Sequence, residues 1–176
     1  MRAFIGCPLT ERDRTRLDAW RNTHLAPPWR LVPLPNLHLT LCFLGAQPPP
    51  VLTALGGRLC ELERLPAGRA RGIAVQPFPV PEARLLALEL APDPALSNLQ
   101  QAAAALATAL GLCCEDRAFR PHITLARGRG ARRSWPVELE LTFDTLGLFG
   151  SLATPAGPSY PLLSRVSLGP APSGPG

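Results

Sequence analysis

Short stretches of alternating apolar and polar residues punctuate this chain, and between them lie segments whose apolar residues fall at helical spacing. Arg2–Cys7 (RAFIGC) reads as an opening strand. Thr10 offers a hydroxyl to cap a helix with Glu11 and Asp13 in its first turn and Leu17 and Trp20 as apolar positions, ending near Pro27-Pro28. Residues 37–44 (LHLTLCFL) alternate in the manner of a strand and stop at Gly45. Three prolines, 48 to 50, lead into a leucine-spaced helix through Leu52, Leu55, Leu59 and Leu62. Residues 71–76 and 84–90 are strands on either side of a Pro-rich turn, and Pro94 starts an alanine-dense helix running to Leu110 and closed by Gly111. PHITLA at 121–126 is a further strand, and residues 138–149 and 160–168 are two late strands around a loop.

This order predicts a mixed α and β domain with no dividing linker, a single unit over residues 1–168 followed by a disordered tail, GPAPSGPG, at 169–176. The length of 176 residues and the 46% hydrophobic content suit one domain with a sizeable core. A faint internal echo, in which each half places a histidine strand and an apolar-rich helix, raises the idea of two related lobes facing one another.

Composition narrows the function classes. No apolar run approaches the roughly 20 residues needed to cross a bilayer, and the N-terminal stretch is broken at Pro8, so neither a membrane span nor a secretory leader is expected. Five cysteines without CxxC spacing (Cys7, Cys42, Cys60, Cys113, Cys114) read as reduced thiols of a cytoplasmic protein, with no zinc cluster. The net charge of +5 suits a polyanionic partner. All 18 basic residues are arginine, however, and 22 residues are proline, a bias that compositional drift also produces. Where the arginines sit therefore says more than how many there are.

Two tetrapeptides carry the chemistry: His38-Leu39-Thr40-Leu41 and His122-Ile123-Thr124-Leu125. In a strand, His and Thr two residues apart project to one side while the intervening apolar residues face a core. One histidine of this kind is usually structural, but two of the chain's three histidines share the pattern. Hydrolysis of a phosphodiester needs a base for water and an acid for the departing oxygen, and imidazole, titrating near neutrality, serves either role. The threonine hydroxyls are suited to donate to non-bridging phosphate oxygens. Nothing in this arrangement calls for a metal or other cofactor. His24 matches no pattern and reads as a surface or capping residue at a helix end.

With NLHLTLCFLG at 36–45, FRPHITLARGRG at 119–130 and RAFIGCPL at the N-terminus, the chain resembles the 2H phosphoesterase superfamily. Within it the chain is similar to the bacterial RNA 2′,3′-cyclic phosphodiesterases, also called the 2′-5′ RNA ligase family, over nearly its whole length. The resemblance implies a bilobal α+β fold whose pseudo-twofold related lobes bear antiparallel sheets lining a central cleft. It implies metal-independent hydrolysis of RNA 2′,3′-cyclic phosphate ends to 2′-phosphomonoesters, with reversible 2′-5′ ligation as a second activity. It assigns His38 as proton donor, His122 as proton acceptor, Thr40 and Thr124 as phosphate ligands, and Arg127 as a contact to phosphate or ribose.

Further contacts are expected around this site. The loop after the second motif carries Arg127, Arg129, Arg132 and Arg133 between glycines, a track for an RNA strand or else a solvated loop. Trp29 and Tyr160 are candidates to stack on a base, whereas Phe43 shares parity with Leu39 and Leu41 and is expected in the core. Cys42 falls on the His38 side. A monomer acting on RNA is the expected assembly. Two other readings stay open: a phosphodiesterase for small molecules such as ADP-ribose cyclic phosphate or 2′-5′ oligoadenylate, and a non-catalytic RNA- or nucleotide-binding module.

Overall fold

The computed structural model describes residues 1–78, 84–114, 118–128, 133–155 and 157–170, and in these the alternating segments pair into one antiparallel sheet. The strands are β1 (Arg2–Pro8), β2 (Arg30–Leu31), β3 (His38–Ala46), β4 (Gly68–Phe78), β5 (Leu85–Leu90), β6 (His122–Arg127), β7 (Trp135–Phe143), β8 (Thr145–Thr154), β9 (Gly157–Ser159) and β10 (Leu162–Ser167). Three helices accompany them: α1 (Glu11–His24), α2 (Pro49–Arg58) and α3 (Pro94–Thr108). The capping residues act as their types dictate. Thr10 Oγ1 accepts the Asp13 amide at 3.2 Å, and the Asp93 carboxylate accepts the Leu96 amide at 3.0 Å with Pro94 beside it at the helix start.

Along the sheet the order is β10-β8-β1-β3-β6-β5-β4-β7, with β2 added on β6 and β9 on β8. The two histidine strands are thus central neighbours, with four main strands in each half of the sheet on either side of the β3–β6 junction. The strands join through Leu39 opposite Ile123, both fully buried. Leu39, Leu41, Ile123 and Leu125 merge with Leu96, Leu99 and Leu106 of α3 in one core under the helices, which leaves the other sheet face to the motif side chains. α1 fully buries only Leu17 among its apolar residues, packs Trp20 half-buried against the core, and is also fastened by polar links. Asp13 accepts the Thr142 amide at 2.9 Å, Arg16 donates to the Glu140 carbonyl at 2.9 Å, and buried Arg21 donates to the Val32 carbonyl.

Each half carries a bulge at the same place. Ile5 and Gly6 pair with Cys42 and Thr40, so Leu41 is an extra residue; Leu86 and Ala87 pair with Ala126 and Thr124, so Leu125 is its counterpart. Parity flips there, and the fifth residue after each histidine returns to the cleft side. Phe43, expected in the core, is therefore half-buried on the cleft, and Cys42, expected beside His38, is buried. Gly6 is required beside this junction: a Cβ on it would sit 2.5 Å from the Leu39 carbonyl oxygen.

Cys42 is also where the expectation of five reduced thiols is corrected. Its sulfur is bonded to that of Cys114, which follows α3, while Cys7, Cys60 and Cys113 are free. The parity flip turns Cys42 toward the helix layer, where Cys114 lies. A cross-link over 72 residues removes about 4 kcal/mol of chain entropy from the unfolded state.

Other expectations change in detail. The leucine-spaced helix ends at Arg58 and tightens into a 3₁₀ turn at Leu59–Leu62. The late segment 138–149 is two strands parted at Asp144, because β7 ends one half of the sheet and β8 belongs to the other. Strands β2 and β9 are too short for any periodicity to announce them. Gly169, placed in the tail by composition, donates to the Leu65 carbonyl at 2.8 Å and accepts from the Ala67 amide at 3.0 Å; residues 171–176 lie outside the described residues. Among the described residues no helix is long and apolar enough to cross a membrane.

The joint between the halves is where packing matters most. Leu39→Ala is expected to cost about 2–5 kcal/mol in urea unfolding, the penalty of a fully buried leucine cavity. A loss below about 1 kcal/mol would show that the joint does not bear on stability.

Candidate active site

Because β3 and β6 are antiparallel neighbours, His38 and Thr40 from one and His122 and Thr124 from the other open into a single cleft of about 480 Å³. Arg127 reaches the same cleft, as do Arg2, Phe4, Asn36, Phe43, Ser151 and Tyr160. Val32 forms part of its wall.

The histidines are held alike. His38 Nδ1 donates to the Asn36 carbonyl and His122 Nδ1 to the Arg120 carbonyl, each at 2.7 Å and each two residues upstream. A carbonyl only accepts, so Nδ1 carries the proton of each neutral ring and Nε2 is its basic nitrogen. His38 Nε2 accepts from the Thr40 hydroxyl at 3.1 Å. A phosphate oxygen entering the cleft would compete for that hydroxyl and release Nε2.

Aromatic contacts set the ring planes. His38 stacks on buried Phe4 with centroids 4.5 Å apart and meets Tyr160 edge-on at 5.2 Å, and Phe4 stacks in turn on Phe149. His122 stacks on Phe78 at 4.2 Å, and the Arg120 guanidinium covers Phe78 at 4.7 Å while pairing with Glu89 at 3.1 Å. Asn36 is buried and ties the first motif to the distant β9 segment: its side chain donates to the Pro158 carbonyl at 2.7 Å and accepts the Tyr160 amide at 3.3 Å. Tyr160 thereby stands beside His38.

Burial among these rings pushes His38 down from 6.5 to about 4, against the Asn36 carbonyl, which favours the charged ring; the charges of His122 and Arg127 lower it further. The cleft by itself thus holds His38 neutral. A phosphate anion beside the ring would oppose this shift and favour its protonation.

The predicted residues divide by position. His38, Thr40, His122, Thr124, Arg127 and Tyr160 converge on the cleft. Trp29 packs half-buried against the core, beside Gly128, rather than lining the cleft. Arg133 is exposed with its guanidinium over Trp135 at 5.5 Å; Arg129 and Arg132 lie outside the described residues. His24 takes the surface role expected of it, at the end of α1 and stacked on Trp20 at 4.5 Å. Sequence reasoning missed Arg2, Phe4, Asn36, Phe78 and Ser151 as site residues. Asn36 had a signal, a polar residue two before the first histidine; Ser151 and Phe78 had none without the sheet order. Among the described residues no group of three or more His, Cys, Asp or Glu side chains is placed to hold a metal ion.

No family model matches the sequence. A protein from Thermus thermophilus named RNA 2′,3′-cyclic phosphodiesterase is 34% identical to it, covering 96% of this chain and 90% of that one. The crystal structure of TT0787 from the same organism superposes with a TM-score of 0.79 at 28% identity, covering 96% of this chain and 98% of that chain. E. coli LigT complexed with 3′-AMP superposes with a TM-score of 0.76, also at 28% identity, covering 95% and 97%.

The electrostatics can be read directly. In an NMR titration His38 of the ligand-free protein is expected to titrate far below 6.5, near 4, and inorganic phosphate is expected to move its midpoint upward. A midpoint at or above 6.5 without phosphate, or a downward move with it, contradicts the described cleft.

Proposed function

The chain belongs to the RNA 2′,3′-cyclic phosphodiesterases of the 2H phosphoesterase superfamily, and on that premise we propose that His38 and His122 act as an acid–base pair that opens the cyclic phosphate. The observation that supports this reading is the shared cleft, where matching Nδ1–carbonyl bonds make Nε2 the basic nitrogen of both rings.

The sequence of events follows from these positions. The cyclic phosphate seats between the motifs, with Thr40 and Thr124 hydroxyls donating to its non-bridging oxygens and the Arg127 guanidinium adding charge-assisted donors. His122 Nε2 takes a proton from water as its oxygen bonds to phosphorus. The bond from phosphorus to the 3′ oxygen breaks, His38 Nε2 delivers its proton to that oxygen, and a 2′-phosphomonoester with a free 3′-hydroxyl remains. The ligand-free cleft holds His38 neutral, so the donor role requires the phosphate's negative charge to raise its pKa and protonate the ring before the step. Its stacking on Phe4 aims the ring, and the substrate's own negative charge loads it. With a 5′-hydroxyl in place of water, the same two proton transfers join a cyclic end through a 2′-5′ linkage. Every residue invoked in these steps comes from one chain, so a monomer is sufficient, and the steps require no metal. Cytoplasmic RNA is the expected substrate.

An RNA oligomer ending in a 2′,3′-cyclic phosphate, assayed in EDTA, is expected to yield a 2′-phosphate. His38→Ala and His122→Ala are each expected to slow turnover by about 10²–10⁴-fold, the range for a lost general acid or base. Full activity in either variant contradicts the pair, and a 3′-phosphate product reverses the orientation of the substrate.

A further inference from the structure

Arginine is the chain's whole complement of strong side-chain cations, so the useful distinction is between guanidinium groups already neutralised and those that are not. Arg14, Arg16, Arg21, Arg58 and Arg120 each lie within 3.2 Å of an acidic side chain. Arg12 and Arg69 are not so paired, but they share a surface depression with Asp13 and Glu140, away from the cleft. Arg30, Arg84 and Arg127 have no acidic partner among the described residues, all three are exposed, and all three come to one corner of the sheet.

That corner is built from three separate segments. Arg30 on β2 is the direct cross-strand partner of Arg127 on β6, which on the same sheet face puts their Cα atoms about 5 Å apart. Arg127 pairs on its other side with Leu85, and the Arg84 carbonyl next to it accepts the Gly128 amide at 2.9 Å. Gly128, at φ 146°, lets the turn before β2 close on this point: a Cβ would lie 2.8 Å from the Pro28 carbonyl oxygen. Like charges opposite one another on neighbouring strands destabilise a sheet. Arg30 and Arg127 face the same way with no carboxylate partner among the described residues, the Arg84 backbone adjoins them through Gly128, and Arg127 already belongs to the cleft where a terminal phosphate would sit.

We propose that Arg30 and Arg84 continue the phosphate-binding side of the cleft beyond Arg127 and hold backbone phosphates of the nucleotides preceding the cyclic end. The preferred substrate is then an oligoribonucleotide rather than a cyclic mononucleotide. This rests on the phosphodiesterase reading above and adds a strand path to it. Guanidinium forks bind phosphate oxygens two at a time without reading base identity, so the ledge selects for chain length and not for sequence.

The test compares full-length wild type with the double variant Arg30→Ala/Arg84→Ala on two substrates, a short oligoribonucleotide ending in a 2′,3′-cyclic phosphate and a cyclic mononucleotide. Wild type is expected to show a lower KM for the oligomer. In the double variant that KM should rise on the order of tenfold, and the slope of log KM against log salt should fall by about 1 for each phosphate that the variant no longer neutralises. Constants for the mononucleotide should not change, which also shows that the variant is folded. Oligomer binding read by fluorescence anisotropy carries the same comparison without turnover. Equal KM for both substrates in wild type, or an unchanged KM and salt slope in the variant, overturns the ledge. Failure of wild type to hydrolyse either substrate overturns the phosphodiesterase reading instead.

Discussion

Leu39 on β3 and Ile123 on β6 meet where the two halves of the sheet join, both without solvent exposure, and the chemistry depends on that contact. Each motif strand anchors itself by apolar residues on the helix side and presents His and Thr on the other. Either strand alone would offer one imidazole and one hydroxyl. Joined antiparallel through Leu39 and Ile123 near their starts, they face two of each across one cleft. α3 packs beneath both halves, and the Cys42–Cys114 bond ties the first motif strand to the segment that follows α3 and leads toward the second.

The same local devices appear on both sides of the joint. A backbone carbonyl two residues upstream fixes each Nδ1 proton, an aromatic ring lies flat against each imidazole, and a bulge after each threonine turns the fifth residue back into the cleft. What occupies equivalent positions then differs. The fifth residue is Phe43 in one half and Arg127 in the other, an apolar face opposite a cation. His38 is enclosed by Phe4, Phe149 and Tyr160, which makes its charge costly until an anion arrives. A symmetric scaffold thereby surrounds its two histidines differently, an asymmetry that suits the proposed division into one acid and one base.

Much of this was legible in the order of residues. Repetition of His-x-Thr on alternating strands disclosed both the site and the strands that hold it, because period-two patterning is what a half-buried strand requires. Strict alternation also misled: it put Phe43 in the core and Cys42 in the cleft, since a bulge is invisible to a count of two. Cys114 lies far along the chain from Cys42, and only the packing of α3 reveals that they meet. Asn36 and Tyr160 illustrate the same limit. Their hydrogen bond joins residues distant in sequence, and no pattern local to either one announces it. Arg30 was likewise unremarkable until the pairing of β2 with β6 set it opposite Arg127.

The central claim is that the two histidines work on one phosphate as a unit, and a double-mutant cycle on turnover tests it most directly. With His38→Ala, His122→Ala and the double variant assayed on one cyclic-ended RNA, the account predicts that the double variant is scarcely slower than the slower single one, as for residues that act together. Multiplicative losses, with the double variant slower by the product of the two single effects, would mean that the histidines act independently and would contradict it.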